Sequence, residues 1–302
     1  SLIEYMGLVS KLSRKPQRLT RPIAHYTLGV WVILVLTILV PLLYGIYISL
    51  LNINLASFLP PQFIGLKNYQ TALLATETWS TLKVTVSLMA MGMTLQIPAG
   101  ILLALALHQQ LRGTKIFRSI LITPMLLTPV AVGLTFRFMF DTDLGIINWF
   151  LGRFGSEGVN WLGAQFSGLA AIVIVDSWQS IPFVMLLVLA ALSAISPSLF
   201  EAAKVDGATG RQVFRNITLP LIMPTLLVIS MIKIMDFLKL FDTIFMLTRG
   251  GPGNATTTLG LWTYKTGFQF LELSRAAALG VIILIITLPV YLLWRKSMKV
   301  QR

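Results

Sequence analysis

Six mostly apolar runs, each near the ~20 residues a helix needs to cross a bilayer, recur at 27–50, 84–107, 116–140, 168–192, 221–247 and 276–294. Inside hydrocarbon every backbone N–H and C=O must be satisfied within the segment, so runs of this length are expected to be helices. The fold class is therefore an all-α integral membrane protein with six transmembrane helices. Composition agrees. Of 302 residues, 56% are hydrophobic and 12% charged, against about 25% charged in soluble domains. An even number of crossings puts both ends of the chain on one side. The predicted organisation is an arm at 1–26, a transmembrane domain at 27–294 and a tail at 295–302.

The net charge of +13 invites a nucleic-acid reading, which the positions of the charges remove. Most of the 24 Lys and Arg sit in the arm (Lys11, Arg14, Lys15, Arg18, Arg21), two short connections (Arg112, Lys115, Arg118; Lys204, Arg211, Arg215) and the tail (Arg295, Lys296, Lys299, Arg302). All four segments fall on the same side of the six-span path. The longer loops of the other side hold Lys67, Lys83, Arg137, Arg153, Arg249, Lys265 and Arg275. The positive-inside rule then places both termini and the connection after the fourth run in the cytoplasm. The five basic residues ahead of the first run, with no small-residue cleavage site behind it, do not match a cleavable signal. Residues 2–12 suit either an amphipathic surface helix or a disordered arm. No internal repeat is visible. Cysteine is absent, and His25 and His108 lie far apart, so thiolate sites and a His-based metal centre are not expected.

Between the fourth and fifth runs lies EAAKVDGATGRQVFRNITLP, residues 201–220. Ser196-Pro197 suits a helix start, and Ser198 with Glu201 offers a capping box in another register. Gly207 supplies a left-handed stop after Asp206. Ala202 and Ala203 are small enough to let a second surface approach the backbone, with Glu201 and Asp206 available for polar contacts. A second short helix at 211–217 is expected to turn at Pro220 into the fifth span. The plain alternative is a solvated polar loop. Glu201-Ala202-Ala203, then Asp206-Gly207-Ala208, then Phe214, Ile217, Leu219-Pro220 and Pro224 resemble the signature loop of ABC-importer permeases of the binding-protein-dependent carbohydrate type. Phe63 to Tyr69 and the segment FDTIFMLTRGGPGNATTTL, 241–259, resemble other stretches of the first permease of such importers. The maltose-type member carries extra N-terminal spans and a large insertion that six spans do not allow. The likeness is closer to compact oligosaccharide and glycerol-phosphate relatives.

The resemblance implies that loop 196–219 forms a cytoplasmic coupling helix. Glu201, Ala202, Ala203, Asp206, Gly207, Ala208 and Arg211 would meet an ATPase subunit there. It implies a second permease, two ATPase subunits carrying ATP and Mg, an extracytoplasmic solute-binding protein and a carbohydrate substrate, in a bacterial inner membrane. This chain itself would bind no cofactor or metal and catalyse no reaction. GGPG at 250–253 lacks the Gly-Lys-Ser/Thr ending of a phosphate loop and reads as a turn contacting the binding protein. Alternatives are a permease for glycerol phosphate or another small polar solute, and an ion-coupled secondary transporter, whose fold usually shows internal repeats.

The fifth run reads MIKIMDFLKLFDTIF, with Lys233, Asp236, Lys239 and Asp242 three residues apart. Each charge costs about 2.5–3.5 kcal/mol at a bilayer centre, so they must face a partner, a cavity or each other. Helical spacing makes a self-neutralising ladder one reading. The other is that Lys233, Asp236, Lys239 and Asp242, with Phe237 and Phe241, line a sugar path. Trp178 and Gln179 add ring stacking and amide contacts, although Trp178 also suits an interface anchor. The two lysines suit an acidic sugar such as a uronate oligosaccharide, while the aspartates leave a neutral one equally served. Pro98, Pro124, Pro129 and Pro182 are expected to kink their helices.

Overall fold

The computed structural model describes residues 29–57, 60–109, 113–155 and 157–300. The arm at 1–26, Arg112 and the side chains of the basic tail lie outside the described residues. The chain divides into two units, Ser1–Ile48 and Ser49–Arg302. The described residues of the first belong to helix α1 (Gly29–Ser49), whose last residue opens the second unit; α1 carries a π-turn at Val35–Leu39.

The second unit opens with a two-residue antiparallel ladder, β1 (Leu51–Asn52) on β2 (Gln62–Phe63), and a short helix α2 (Lys67–Leu74). Helix α3 (Thr76–His108) is followed by α4 (Thr114–Leu126) and α5 (Pro129–Met139). Then come α6 (Ile146–Arg153), α7 (Gln165–Ser193), α8 (Pro197–Val205) and α9 (Gly210–Leu238). The last three helices are α10 (Asp242–Leu247), α11 (Leu259–Tyr264) and α12 (Leu273–Val300).

Two apolar clusters hold α3, α7 and α9 together. Leu88, Ile172, Val175 and Phe237 belong to one, and Ala104, Val184, Val188, Ile222 and Ile229 to the other. Residue numbers rise from the first cluster to the second along α3 and α7 and fall along α9, so the chain runs back and forth. Close approach is built in by glycine. A Cβ on Gly100 would collide with the Val184 side chain, and one on Gly92 with the Phe237 ring. Pro98 and Pro182 fall inside α3 and α7, which nevertheless continue as single helices.

Among the described residues, four helices are long and apolar enough to cross a membrane: α1, α3, α7 and α9. The third expected span is not one straight helix. It breaks into α4 and α5 at an angle of 95°. Leu127 and Thr128 adopt extended ψ of 147° and 135°, and at Thr128 the cause is local, because the residue just ahead of a proline is pushed out of helical geometry by its ring. Leu121 and Ile122 of α4 pack on the second cluster, while Val132 and Phe136 of α5 pack on the first. The bent pair therefore touches both clusters and makes a fifth crossing if taken as one span. In α12 the apolar part is Leu273–Pro289.

The fifth expected span is also corrected. Its helix stops at Leu238, and Lys239 (φ −102°) and Phe241 (φ −133°) leave helical geometry before α10 begins at Asp242. No proline or glycine stands at this break. It is held from outside: Thr258 Oγ1 donates to the Leu240 carbonyl at 2.8 Å, and Gly260 backs onto the Lys239 and Leu240 carbonyls. The separate helix expected at 211–217 is instead the first turns of α9. They run through a π-turn at Phe214–Thr218 and past Pro220 without a turn; a proline is tolerated where the backbone ladder is already shifted.

Candidate functional site

The break in α9 opens a cavity of about 280 Å³. Asp176, Gln179 and Ser180 from α7, Lys233, Asp236 and Lys239 from α9, and Leu240, Phe241, Asp242, Thr243 and Pro129 line it. Without the break, Lys239 and Asp242 would continue the α9 helix; with it, they turn to the same space as Asp176.

The charges at the cavity pair in a way that differs from a single-helix ladder. Lys233, 3% exposed, donates to Ser180 Oγ at 2.9 Å and lies 3.9 Å from Asp176 Oδ2. Its ammonium also sits 5.2 Å over the Phe237 ring. Gln96 of α3 donates its Nε2 to the same Asp176 oxygen at 2.7 Å and to Ser177 Oγ at 3.2 Å. Three helices thus meet at one buried carboxylate. Burial leaves an ion pair costly unless hydrogen bonds complete it, and Gln96 and Ser180 supply them. Asp236 pairs with Lys239 at 3.2 Å in a far more open position. Asp242 stands in the first turn of α10, where a carboxylate is favoured by the helix dipole.

Of the expected pathway residues, Gln179, Lys233, Asp236, Lys239, Phe241 and Asp242 come together at this cavity. Trp178 and Phe237 do not line it. Trp178 packs edge-on against Phe136 at 5.3 Å, and Phe237 is buried in the core beside Gly92. Gln179 also serves the α4–α5 break, where its Nε2 donates at 2.7 Å to the Leu127 carbonyl that the break leaves without a helical partner. Arg137 reaches the Met246 carbonyl at the end of α10. Gln96 is a member of the site that sequence reasoning misses. Its only signal there is an amide in an otherwise largely apolar stretch of α3.

The loop from 196 to 219 forms a second candidate site. Pro197 opens α8 at its first turn behind Ser196. Ser196 and Ser198 hydroxyls bond each other at 2.8 Å rather than capping the helix, so neither expected serine cap forms. Gly207 has φ 72°. Its N–H reaches the Lys204 carbonyl at 3.1 Å, and the Ala208 N–H reaches the Ala203 carbonyl at 2.9 Å. This is the Schellman arrangement that closes a helix with a left-handed glycine. Glu201, Ala202, Asp206 and Arg211 are exposed, while Ala203 is buried. Of the two small residues, Ala202 is exposed and Ala203 is not. Thr209 and Gln212 form a capping box that starts α9.

The family described as binding-protein-dependent transport system inner membrane component matches residues 96–296. A probable ABC transporter permease protein of Sinorhizobium fredii is 37% identical over 292 residues, covering 96% of this chain and 94% of that protein. The trehalose/maltose transport system permease protein MalF of Thermococcus litoralis is 36% identical over 247 residues, 82% of this chain and 83% of that one. A chain in the crystal structure of a bacterial ABC transporter involved in import of the acidic polysaccharide alginate superposes with a TM-score of 0.77 at 25% identity, over 91% of this chain and 95% of that one. The chain therefore belongs to the family of binding-protein-dependent transport system inner membrane components and has the fold of an ABC-importer permease.

Proposed function

We propose that this chain is the permease subunit of an ATP-driven importer that carries a carbohydrate into the cytoplasm. The observation that carries the substrate reading is the cavity at the α9 break. It presents Asp176, Asp236 and Asp242 beside Lys233 and Lys239 at the level where three helices cross. Alternating acceptors and donors with Phe241 alongside suit the hydroxyls and apolar faces of a sugar. Relatives whose names refer to trehalose/maltose and to alginate support the carbohydrate class. An acidic oligosaccharide is the second reading, favoured by the alginate importer's likeness and by the open position of Lys239.

On this reading the polypeptide crosses an inner membrane six times, through α1, α3, the α4–α5 pair, α7, α9 and α12, with both termini cytoplasmic. Helix α8, in the connection between α7 and α9, is the coupling helix that docks an ATPase, and Glu201, Ala202, Asp206, Gly207, Ala208 and Arg211 meet it. A second permease completes the path, two ATPase subunits hold ATP and Mg, and a solute-binding protein delivers the sugar to the opposite face. ATP binding draws the coupling helices together and turns the path outward; hydrolysis resets it. The chain itself hydrolyses nothing. The test is ATPase stimulation in the reconstituted complex by binding protein loaded with neutral or uronate oligosaccharides. Stimulation by either class supports carbohydrate import and chooses between the readings. Stimulation by neither, with a non-sugar solute active instead, overturns it.

A further inference from the structure

A second cavity, of about 450 Å³, lies where α3 and α7 end and α4 begins. It is separate from the sugar site, at the other end of the second apolar cluster. Lys115 and Arg118, three residues apart on α4, line it together with His108, and no carboxylate does among the described residues. Its remaining wall is largely apolar, built by Leu107, Leu189 and Phe200. A soluble anion needs the cations but not the apolar wall. A buried apolar segment needs the wall but not two cations. An anionic amphiphile needs both.

The place agrees with such a ligand. The cavity opens at the ends of α3 and α7, two helices long and apolar enough to cross a membrane, where headgroups meet acyl chains. Basic pockets between helices at that level recognise anionic lipid headgroups. Phe200 and buried Ala203 face the bundle, whereas Leu199, Glu201, Ala202 and Val205 are exposed on the rest of α8. An occupant of the cavity would therefore touch α8 from behind and leave its outer face open to a docking protein. We propose that this cavity binds the phosphate headgroup of an anionic glycerophospholipid and braces α8 against the ends of α3 and α4. Lipid binding is independent of the transport reading; only its effect on ATPase coupling rests on that reading.

The test uses the full transporter complex in nanodiscs and in detergent. Native mass spectrometry should find phosphatidylglycerol retained at least ten-fold over phosphatidylcholine. Lys115→Gln with Arg118→Gln should abolish the preference, and the charge-keeping pair Lys115→Arg with Arg118→Lys should preserve it, which separates loss of charge from loss of folding. Lys67→Gln with Arg153→Gln removes two positive charges elsewhere and should change nothing. An equal loss in that control pair would mean unspecific charge attraction and overturn the site. Displacement by millimolar inorganic phosphate would assign the cavity to a soluble anion and also overturn it. So would lipid that binds the isolated permease but is expelled when the ATPases assemble, because the cavity would then be a protein docking pocket. If lipid binds but the Gln pair leaves coupled ATPase activity unaltered, the bracing role falls while the transport reading stands.

Discussion

The Lys233 ammonium lies 3.9 Å from the Asp176 carboxylate, although the two residues belong to different helices and stand 57 positions apart. This contact ties α9 to α7 at the edge of the cavity and brings in α3 through Gln96. Removing one partner of a buried pair leaves the other charge uncompensated, at about 3–5 kcal/mol. Lys233→Met should therefore lower stability by about that amount. The double variant Lys233→Met/Asp176→Asn should recover most of the loss. Thermal unfolding in one detergent measures both, and additive losses in the cycle would show that the pair is not coupled.

Close packing of α3 on α9 gives a second expectation. A Cβ on Gly92 falls against the Phe237 ring, closer than van der Waals contact allows, so Gly92→Ala should cost about 1–3 kcal/mol by overpacking. Adding Phe237→Leu should cost less than the sum of the single changes, since the ring is the obstacle. Strict additivity in unfolding measurements would contradict the packing.

Much of this architecture is legible in the sequence, and the misses share a cause. Apolar run length reveals α1, α3, α7 and α9, and Pro129 marks the α4–α5 break. Gly207 announces the end of α8. The α9 break is not legible, because nothing local at Lys239 to Phe241 breaks a helix. Thr258 and Gly260, some twenty residues later, hold it open. For the same reason the even spacing of Lys233, Asp236, Lys239 and Asp242 reads as one ladder, whereas Lys233 finds its partner on α7. Gln96 stays hidden, since an isolated amide carries no pattern until Asp176 is placed beside it.

The α8 stop rests on backbone geometry alone. Gly207 has φ 72° and a Cβ there meets open space, so Gly207→Leu should cost about 1–2 kcal/mol through left-handed strain. On the proposed coupling role, it should also reduce ATPase co-purification and coupled uptake several-fold. Gly207→Asn, which tolerates that conformation better, should retain most of both. Normal coupled uptake in the Leu variant would remove the coupling assignment.

Orientation can be read directly, because the chain has no cysteine. Thr209→Cys and Asn254→Cys are both at exposed positions. In intact cells, an impermeant maleimide should label position 254 and leave 209 unmodified until the membrane is opened. The reverse pattern would invert the topology and, with it, the direction of coupling.

On the proposed function, sugar passes the cavity at the α9 break. Uptake into proteoliposomes containing the complete transporter with either Lys239→Met or Asp242→Asn measures this. Both residues line the cavity, outside the buried Asp176–Lys233 pair. At least a ten-fold loss of sugar uptake is expected, while binding protein still stimulates ATP hydrolysis. Uptake equal to that of the unaltered transporter in both variants would contradict that route.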